Sequence, residues 1–367
     1  MIIRKSYLYN FRNHESYVVQ YDSGINFITG QNGSGKTNII ESISVLSNLK
    51  SFRDASDEDM IKWNTDYYHI ICDVLDYSDN KFEVGYSSVN GKKKKVLKIN
   101  ESQVLKSIDF YGHILNVFFT PMDNLLISGS ISIRRRYFDS VISKTNKNYL
   151  GLIYKCRKMY NDRNILLKKN RNAKFSTEYY KSIEVWTDMI SSLTVDIVKE
   201  RKEFINNLNL GLYSSYNNIS GMNDGPHIEY FSDFFDRDKN CVYNHIMNSI
   251  NNDIKYGFST KGIHRDIYNI KTVDNRFFKD VSSQGEIRSA AIALKASEKE
   301  FIEKESNKKS IILVDDIFSE LDAERKKNMI NLFQNGNQVI MTMANYRKED
   351  FETLSEINVI EIDKSIL

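Results

Sequence analysis

Proline is nearly missing from this chain: Pro121 and Pro226 are the only two in 367 residues. With 41% hydrophobic and 27% charged residues, the composition leaves no case for a disordered chain and allows one large core or two moderate ones. Cysteine is scarce as well. Cys72, Cys156 and Cys241 lie far apart, with no C-x-x-C pair and no histidine cluster nearby, which argues against a disulfide framework or a zinc site and leaves three buried or idle thiols. Long apolar runs are absent. No stretch approaches the roughly 20 residues of a membrane span, and the opening "MIIRKSYLYNFRNHESYVVQ" lacks the apolar centre of a secretory signal. A soluble, cytoplasmic protein is expected. An excess of charge is missing too, since 51 basic residues face 48 acidic ones for a net charge of +3. That balance is too even to argue for nucleic acid from the total, so any DNA-binding surface has to be local.

The most visible basic run is Lys92 to Lys95 in "VNGKKKKVLKIN", where Asn90-Gly91 suits a tight hairpin turn. It reads as a lysine-protected edge strand, with a phosphate-contacting strand as the alternative. Up to about residue 124 the pattern is mostly short strands, interrupted by one helix that carries Ile39, Ile40, Ile43 and Leu46 on one face. The period then turns helical. Ile183, Trp186, Ile190, Leu193, Ile197, Phe204 and Leu208 keep mostly three and four residue spacings, predicting one amphipathic helix over 177–208, roughly 45 Å long at 1.5 Å per residue. An asparagine-rich loop follows, and strands return in "IYNIKTV", "SIILVDD", "NQVIMTM" and "INVIEID". The expected architecture is an α/β head made of residues 1–124 and 256–367, split by a helical arm domain at 125–255.

The segment "GQNGSGKT", Gly30 to Thr37, fits G-x-x-x-x-G-K-[ST], with a strand leading in and a helix leading out. In that setting the backbone N–H groups of Gly30, Gln31, Asn32, Gly33, Ser34 and Gly35, continuing into Asn38, converge on phosphate oxygens at a helix N-terminus. Lys36 would neutralise the β and γ phosphates and the Thr37 hydroxyl would coordinate Mg²⁺. In "SIILVDDIFSELD" a buried strand ends at Asp315, placed to hold the magnesium ion as a Walker B aspartate. Asp316 follows where many such ATPases carry a glutamate that polarises the attacking water. An aspartate is one methylene shorter, so slow hydrolysis is expected. The N-K-x-D that reads guanine is absent, which favours ATP over GTP. A small-molecule kinase could share the loop and the strand, but would leave "VSSQGEIRSAAIALK" unexplained.

That segment, Val281 to Lys295, contains "SSQGE" at the start of a helix, with Ser283 standing 32 positions before Asp315. A serine hydroxyl and free amides at a helix N-terminus make an anion site. The first loop already serves the nucleotide, so Ser283 and Gly285 are expected to meet a γ-phosphate presented by a second molecule; a plain helix cap is the alternative.

Taken together the motifs resemble those of the RecF family of bacterial DNA replication and recombinational repair proteins, related to the heads of SMC proteins. "NFRNH" (10–14), "GQNGSGKTNIIESI", "KSFR" (50–53), "FFTPMD" (118–123), "RRRYFD" (134–139), "DRNILLK" (162–168), "GIHRD" (262–266), "SSQGEIRSAAIALK" and "LVDDIFSELD" run in the family's order over nearly the whole chain. Met122, Ile263 and Glu286 depart from the family's usual acidic residue, proline and glutamine. The resemblance implies an SMC-like, ABC-type P-loop ATPase head with an inserted helical arm. It implies an ATP-dependent homodimer that binds single-stranded, gapped or junction DNA, works with RecO and RecR to load the recombinase, supports the SOS response and releases DNA on slow hydrolysis. Cofactors would be ATP and Mg²⁺, with Asp316 and Lys36 catalytic. An SMC-like structural tether or a nuclease-associated ATPase is the alternative, although an insertion of about 130 residues is of ordinary domain size and no second metal cluster is legible. Arg12 and Asn13 read either as nucleotide contacts or as surface ion-pair residues. Arg134 to Arg136 read as a solvated helix start, with phosphate contacts as the alternative, and His264 with Asp266 as a hydrogen-bonded structural pair rather than metal ligands.

Overall fold

The computed structural model describes residues 1–169, 177–222, 224–318, 321, 323–333, 336–343, 351 and 357–362. By compactness the chain divides into two units, one of residues 1–123, 218–221 and 291–367, the other of residues 124–217 and 222–290.

Two sheets build the first unit. Strands β1 (Ile2–Phe11), β2 (His14–Gln20), β4 (Tyr67–Leu75), β5 (Asp79–Val89), β6 (Lys92–Ile99) and β7 (Ser102–Val104) form an antiparallel sheet in the order β2-β1-β4-β5-β6-β7. In β4 burial alternates residue by residue, the mark of a sheet with one face on a core and one facing out. The second sheet is parallel. It orders β3 (Ile25–Thr29), β8 (Asn116–Phe119), β11 (Ile311–Asp315), β12 (Val339–Thr342) and β13 (Ile357–Glu361) as β13-β3-β12-β11-β8. Every residue of β3 and β11 is buried, as strands covered on both faces require. Asn26 pins the register in the middle of this sheet by donating to the Val339 carbonyl at 3.2 Å and accepting from the Asn358 amide at 2.9 Å.

The helix Lys36–Asn48 packs on both sheets, and its residues Ile39 to Ser47 are all buried. The sequence predicts one apolar face; burial instead runs all round. Serines make this possible, because Ser42 and Ser47 return their hydroxyls to the carbonyls of Ile39 and Ile43, and Ser44 reaches that of Lys50. The hairpin at Asn90-Gly91 forms with φ of 48° and 76°. β7 covers only Leu97 to Ile99, so Lys92 to Lys95 do lie on an open edge.

The second unit holds the helices Ile131–Thr145, Lys147–Lys169 and Thr177–Ser220, with a ribbon of β9 (His227–Phe231) and β10 (Ile267–Lys271). The third helix has 44 residues, or about 66 Å at 1.5 Å per residue. It outruns the predicted end at 208 because Leu212, Tyr216 and Ile219 continue the buried stripe past the asparagines. This unit extends to residue 290, beyond the 255 set from the sequence. Buried Arg201 explains the difference: from the long helix it pairs with Asp139 at 2.9 Å and Asp266 at 2.5 Å, and Asp266 also accepts from Tyr230. In the same unit Arg163 and Asp253, both fully buried, pair at 2.8 Å.

Candidate nucleotide site

β3 delivers the chain to Gly30, whose φ is 144°; a Cβ there would meet the Ile362 carbonyl at 2.7 Å, so only glycine lets the loop leave the sheet. Gly35, at φ 90°, turns the loop into the helix, and a Cβ on it would strike the His14 ring at 2.5 Å. His14 is buried against Tyr17 and meets the Gly35 carbonyl at 3.2 Å; burial pulls its pKa below the usual value. Within the loop Ser34 is fully buried, and its hydroxyl has no partner among the described residues.

Lys36 folds back over this loop, donating to the carbonyls of Gly30 at 2.7 Å and Gln31 at 3.0 Å. Desolvation lowers its pKa, while Asp316 and Asp315 oppose that shift. The Thr37 hydroxyl donates to Asp315 at 2.8 Å, joining positions 278 residues apart in sequence. Burial raises the Asp315 pKa, and hydrogen bonds from Thr342 and Thr37 hold it down. Asp316 has φ 47° and its amide donates to the Thr342 hydroxyl at 3.1 Å. Thr342 thus serves both aspartates, since it also donates to Asp315 at 2.7 Å. It was missed in the sequence, where the only signal was a hydroxyl at the end of the apolar run "NQVIMTM".

Asn38 donates to Asn13 at 2.7 Å. Arg12 makes a two-pronged pair with Glu41 at 2.8 and 2.6 Å and donates to the Asp59 carbonyl, so the ion-pair alternative describes it here. Glu41 is wholly buried and also accepts from Ser51 at 2.5 Å. Its signal was an acid set in the apolar run "NIIESI". A cavity of about 540 Å³ lined by Arg4, Asp79 and Glu101 lies elsewhere on the antiparallel sheet and shares no residue with the loop.

Gly30 to Asn38, Asp315 and Asp316 therefore come together in the first unit. Ser283 and Gly285 belong to the second unit. There Ser283 caps the helix Gln284–Ser306: its amide donates to Glu286 at 2.7 Å and its hydroxyl accepts from the Glu286 amide at 3.3 Å. This reciprocal pair is a capping box, and the departure at Glu286 supplies half of it. In the "SELD" turn, Ser319, Glu320 and Asp322 lie outside the described residues.

Other sequence expectations are corrected. Arg134 is buried and donates to the carbonyls of Tyr268 at 2.8 Å and Gly129 at 2.9 Å, closing a turn rather than meeting solvent. His264 bonds the Ser259 carbonyl and Asp266 bonds Arg201, so they are satisfied separately and are not a pair. Cys241 is exposed, unlike Cys72 and Cys156. No helix among the described residues is long and apolar enough to cross a membrane.

The family model for the RecF/RecN/SMC N-terminal domain matches residues 2–364. A protein of Leptospira interrogans named DNA replication and repair protein RecF is 32% identical over 93% of this chain and 91% of its own length. One of the same name from Thermoanaerobacter is 32% identical over 95% of each. A solved structure titled as the recombination mediator protein RecF-ATPrS in the RecFOR pathway superposes with a TM-score of 0.88 at 29% identity, covering 99% of this chain and 96% of that one. An SMC head bound to the C-terminal winged-helix domain of ScpA superposes with a TM-score of 0.55 at 14% identity, covering 98% and 94%. Fold and site define an ABC-type, SMC-like ATPase head carrying a helical insertion. The 14% likeness carries the fold alone, while the relatives near 30% go further. The chain belongs to the RecF family.

Proposed function

We propose that the protein is an ATP-switched DNA-binding protein of recombinational repair and replication restart. The observation that carries this reading is the 2.8 Å bond between Thr37 and Asp315 beside a lysine folded onto its own phosphate loop. The loop amides would hold a triphosphate, and Lys36, now on the Gly30 and Gln31 carbonyls, would neutralise its β and γ phosphates. One hydroxyl and one carboxylate are the donors a hard, octahedral cation uses when phosphate and water complete its shell. No group of three or more His, Cys, Asp or Glu that could hold a metal occurs among the described residues, which suits such a shared site. Thr37 and Asp315 would hold Mg²⁺, whose charge offsets that of the phosphates. Asp316 orients the attacking water, and its short side chain makes hydrolysis slow.

Functionally, residues 1–124 and 256–367 form the head and 125–255 the arm. Ser283 and Gly285 complete the ATP site of a second copy; the Glu286 carboxylate resting on the Ser283 amide is already an anion at that helix N-terminus. The ATP-bound dimer holds gapped or junction DNA, acts with RecO and RecR in loading the recombinase in the cytoplasm, and lets DNA go on hydrolysis.

Lys36→Ala should lose at least tenfold in ATP affinity and DNA retention with it, because the loop loses its cation. Asp316→Asn should bind ATP like the parent and hold DNA longer. Equilibrium binding of a fluorescent ATP analogue and single-turnover hydrolysis read both. Parental ATP binding by Lys36→Ala, or parental hydrolysis by Asp316→Asn, would overturn the respective assignment.

A further inference from the structure

The helix Lys36–Asn48 takes one face of the antiparallel sheet, and the opposite face is left outward. Three registers order what stands on it. Tyr67, Ser87 and Lys94 form one row, His69, Gly85 and Val96 the next, and Ile71, Glu83 and Lys98 a third; Tyr9 stands opposite His69 and Tyr7 opposite Ile71. The rings therefore gather on β1 and β4, and lysines border them across β5 on the β6 edge. Tyr9 stacks on His69 with centroids 6.2 Å apart, and Tyr67, 49% exposed, is its diagonal neighbour at about 7–8 Å. Gly85 puts no side chain into the row beside His69, so the surface dips there.

Lys5, Lys81, Lys94 and Lys98 stand on this face with three carboxylates, Asp73, Asp79 and Glu83. All three acids are already engaged: Glu83 by His69 at 3.1 Å and Lys98 at 3.7 Å, Asp73 by the Tyr7 hydroxyl at 3.2 Å, and Asp79 by Arg4 at 2.7 Å. No carboxylate among the described residues pairs with Lys94, which is exposed on the open edge of β6.

We propose that this outer face binds a single-stranded polynucleotide, with bases lying on Tyr9 and Tyr67 and phosphates against Lys94. Aromatic rings bordered by lysines are the means by which sheets hold unpaired bases, whose flat faces are open for stacking. A duplex hides those faces in its own stack. A protein partner is disfavoured by the same residues, because lysine is depleted at the centre of protein interfaces. The inference rests on the reading that the protein binds DNA, and assigns where and how.

The test uses the full chain with ATP, a labelled oligothymidylate and a duplex of equal length, followed by anisotropy. Tyr67→Ala and Tyr9→Leu should each weaken single-strand binding about tenfold and leave duplex binding and ATP affinity within twofold. Lys94→Ala should reduce the salt slope for the single strand by about 0.7. If the parent binds no DNA, the functional reading falls and this inference with it. If the parent binds and all three variants bind alike, the face is not the site although the functional reading stands. Equal losses for single strand and duplex would overturn stacking. Tyr67 and Lys94 are exposed, so should Tyr9→Leu melt early, the other two decide.

Discussion

Glu41 brings a full charge into the interior, and at the scale of single residues it is the group on which the entrance to the phosphate loop depends. Its carboxylate is shared by Arg12 and Ser51, with Arg53 at 3.8 Å. Glu41→Gln removes the charge and keeps the shape, so the cost should be that of charge-assisted hydrogen bonds, about 1.5–3 kcal/mol. Glu41→Ala strands the arginine as well and should cost about 3–5 kcal/mol. Urea unfolding followed by tryptophan emission measures both, and a Gln variant as stable as the parent would mean that Arg12 finds equal partners elsewhere. Lys36, Thr37, Asp315 and Asp316 were legible in the sequence because phosphate chemistry demands those residue types at short, fixed spacings. Glu41 and Thr342 were not, because their partners arrive from distant strands and loops, and a buried polar residue announces only that it has some partner.

Among the elements, the helix Gln284–Ser306 carries the ambiguity of the sequence into the structure. "SSQGE" read either as an anion site or as a cap, and the capping box is what the side chains form. Ser283→Ala should therefore destabilise by about 1 kcal/mol, while Glu286→Gln should cost little because glutamine also closes such a box. Thermal unfolding of the two variants checks this; equal melting of Ser283→Ala and parent would remove the cap. Strand and helix types followed from periodicity, as in β4 and the long helix. Ends and environments did not. The asparagine-rich stretch after Leu208 suggested a loop, yet Leu212, Tyr216 and Ile219 keep the buried stripe through it. The helix Lys36–Asn48 was expected to carry Ile39, Ile40, Ile43 and Leu46 on one face, yet its serines are buried as well and bond back to their own helix and its neighbouring loop.

For the whole molecule the decisive question is whether two copies close on ATP. On the proposed trans arrangement, Ser283→Arg leaves the mutant's own loop untouched and puts a long side chain where the second copy would present its γ-phosphate. It should bind ATP within about twofold of the parent, yet sediment as a monomer with or without ATP and fail to retain DNA. An ATP-driven dimer of this variant would refute the trans arrangement and leave Ser283 as a cap alone. The α/β class was legible from a strand-rich pattern that resumes after a helical stretch, whereas the extent of the second compact unit depends on Arg201 reaching Asp139 and Asp266, contacts that no spacing reveals. The parallel sheet has a further consequence, in the order of synthesis. β3, the strand that launches the phosphate loop, pairs on one side with β12 and on the other with β13, so both its neighbours are translated about 310 residues or more after it. At about 5–20 residues per second, the ribosome keeps that wholly apolar-bedded strand waiting for tens of seconds. A nascent chain stopped before Val339 has its loop sequence and the antiparallel sheet but neither neighbour of β3, whose segment stands open to proteases and chaperones until β12 and β13 emerge.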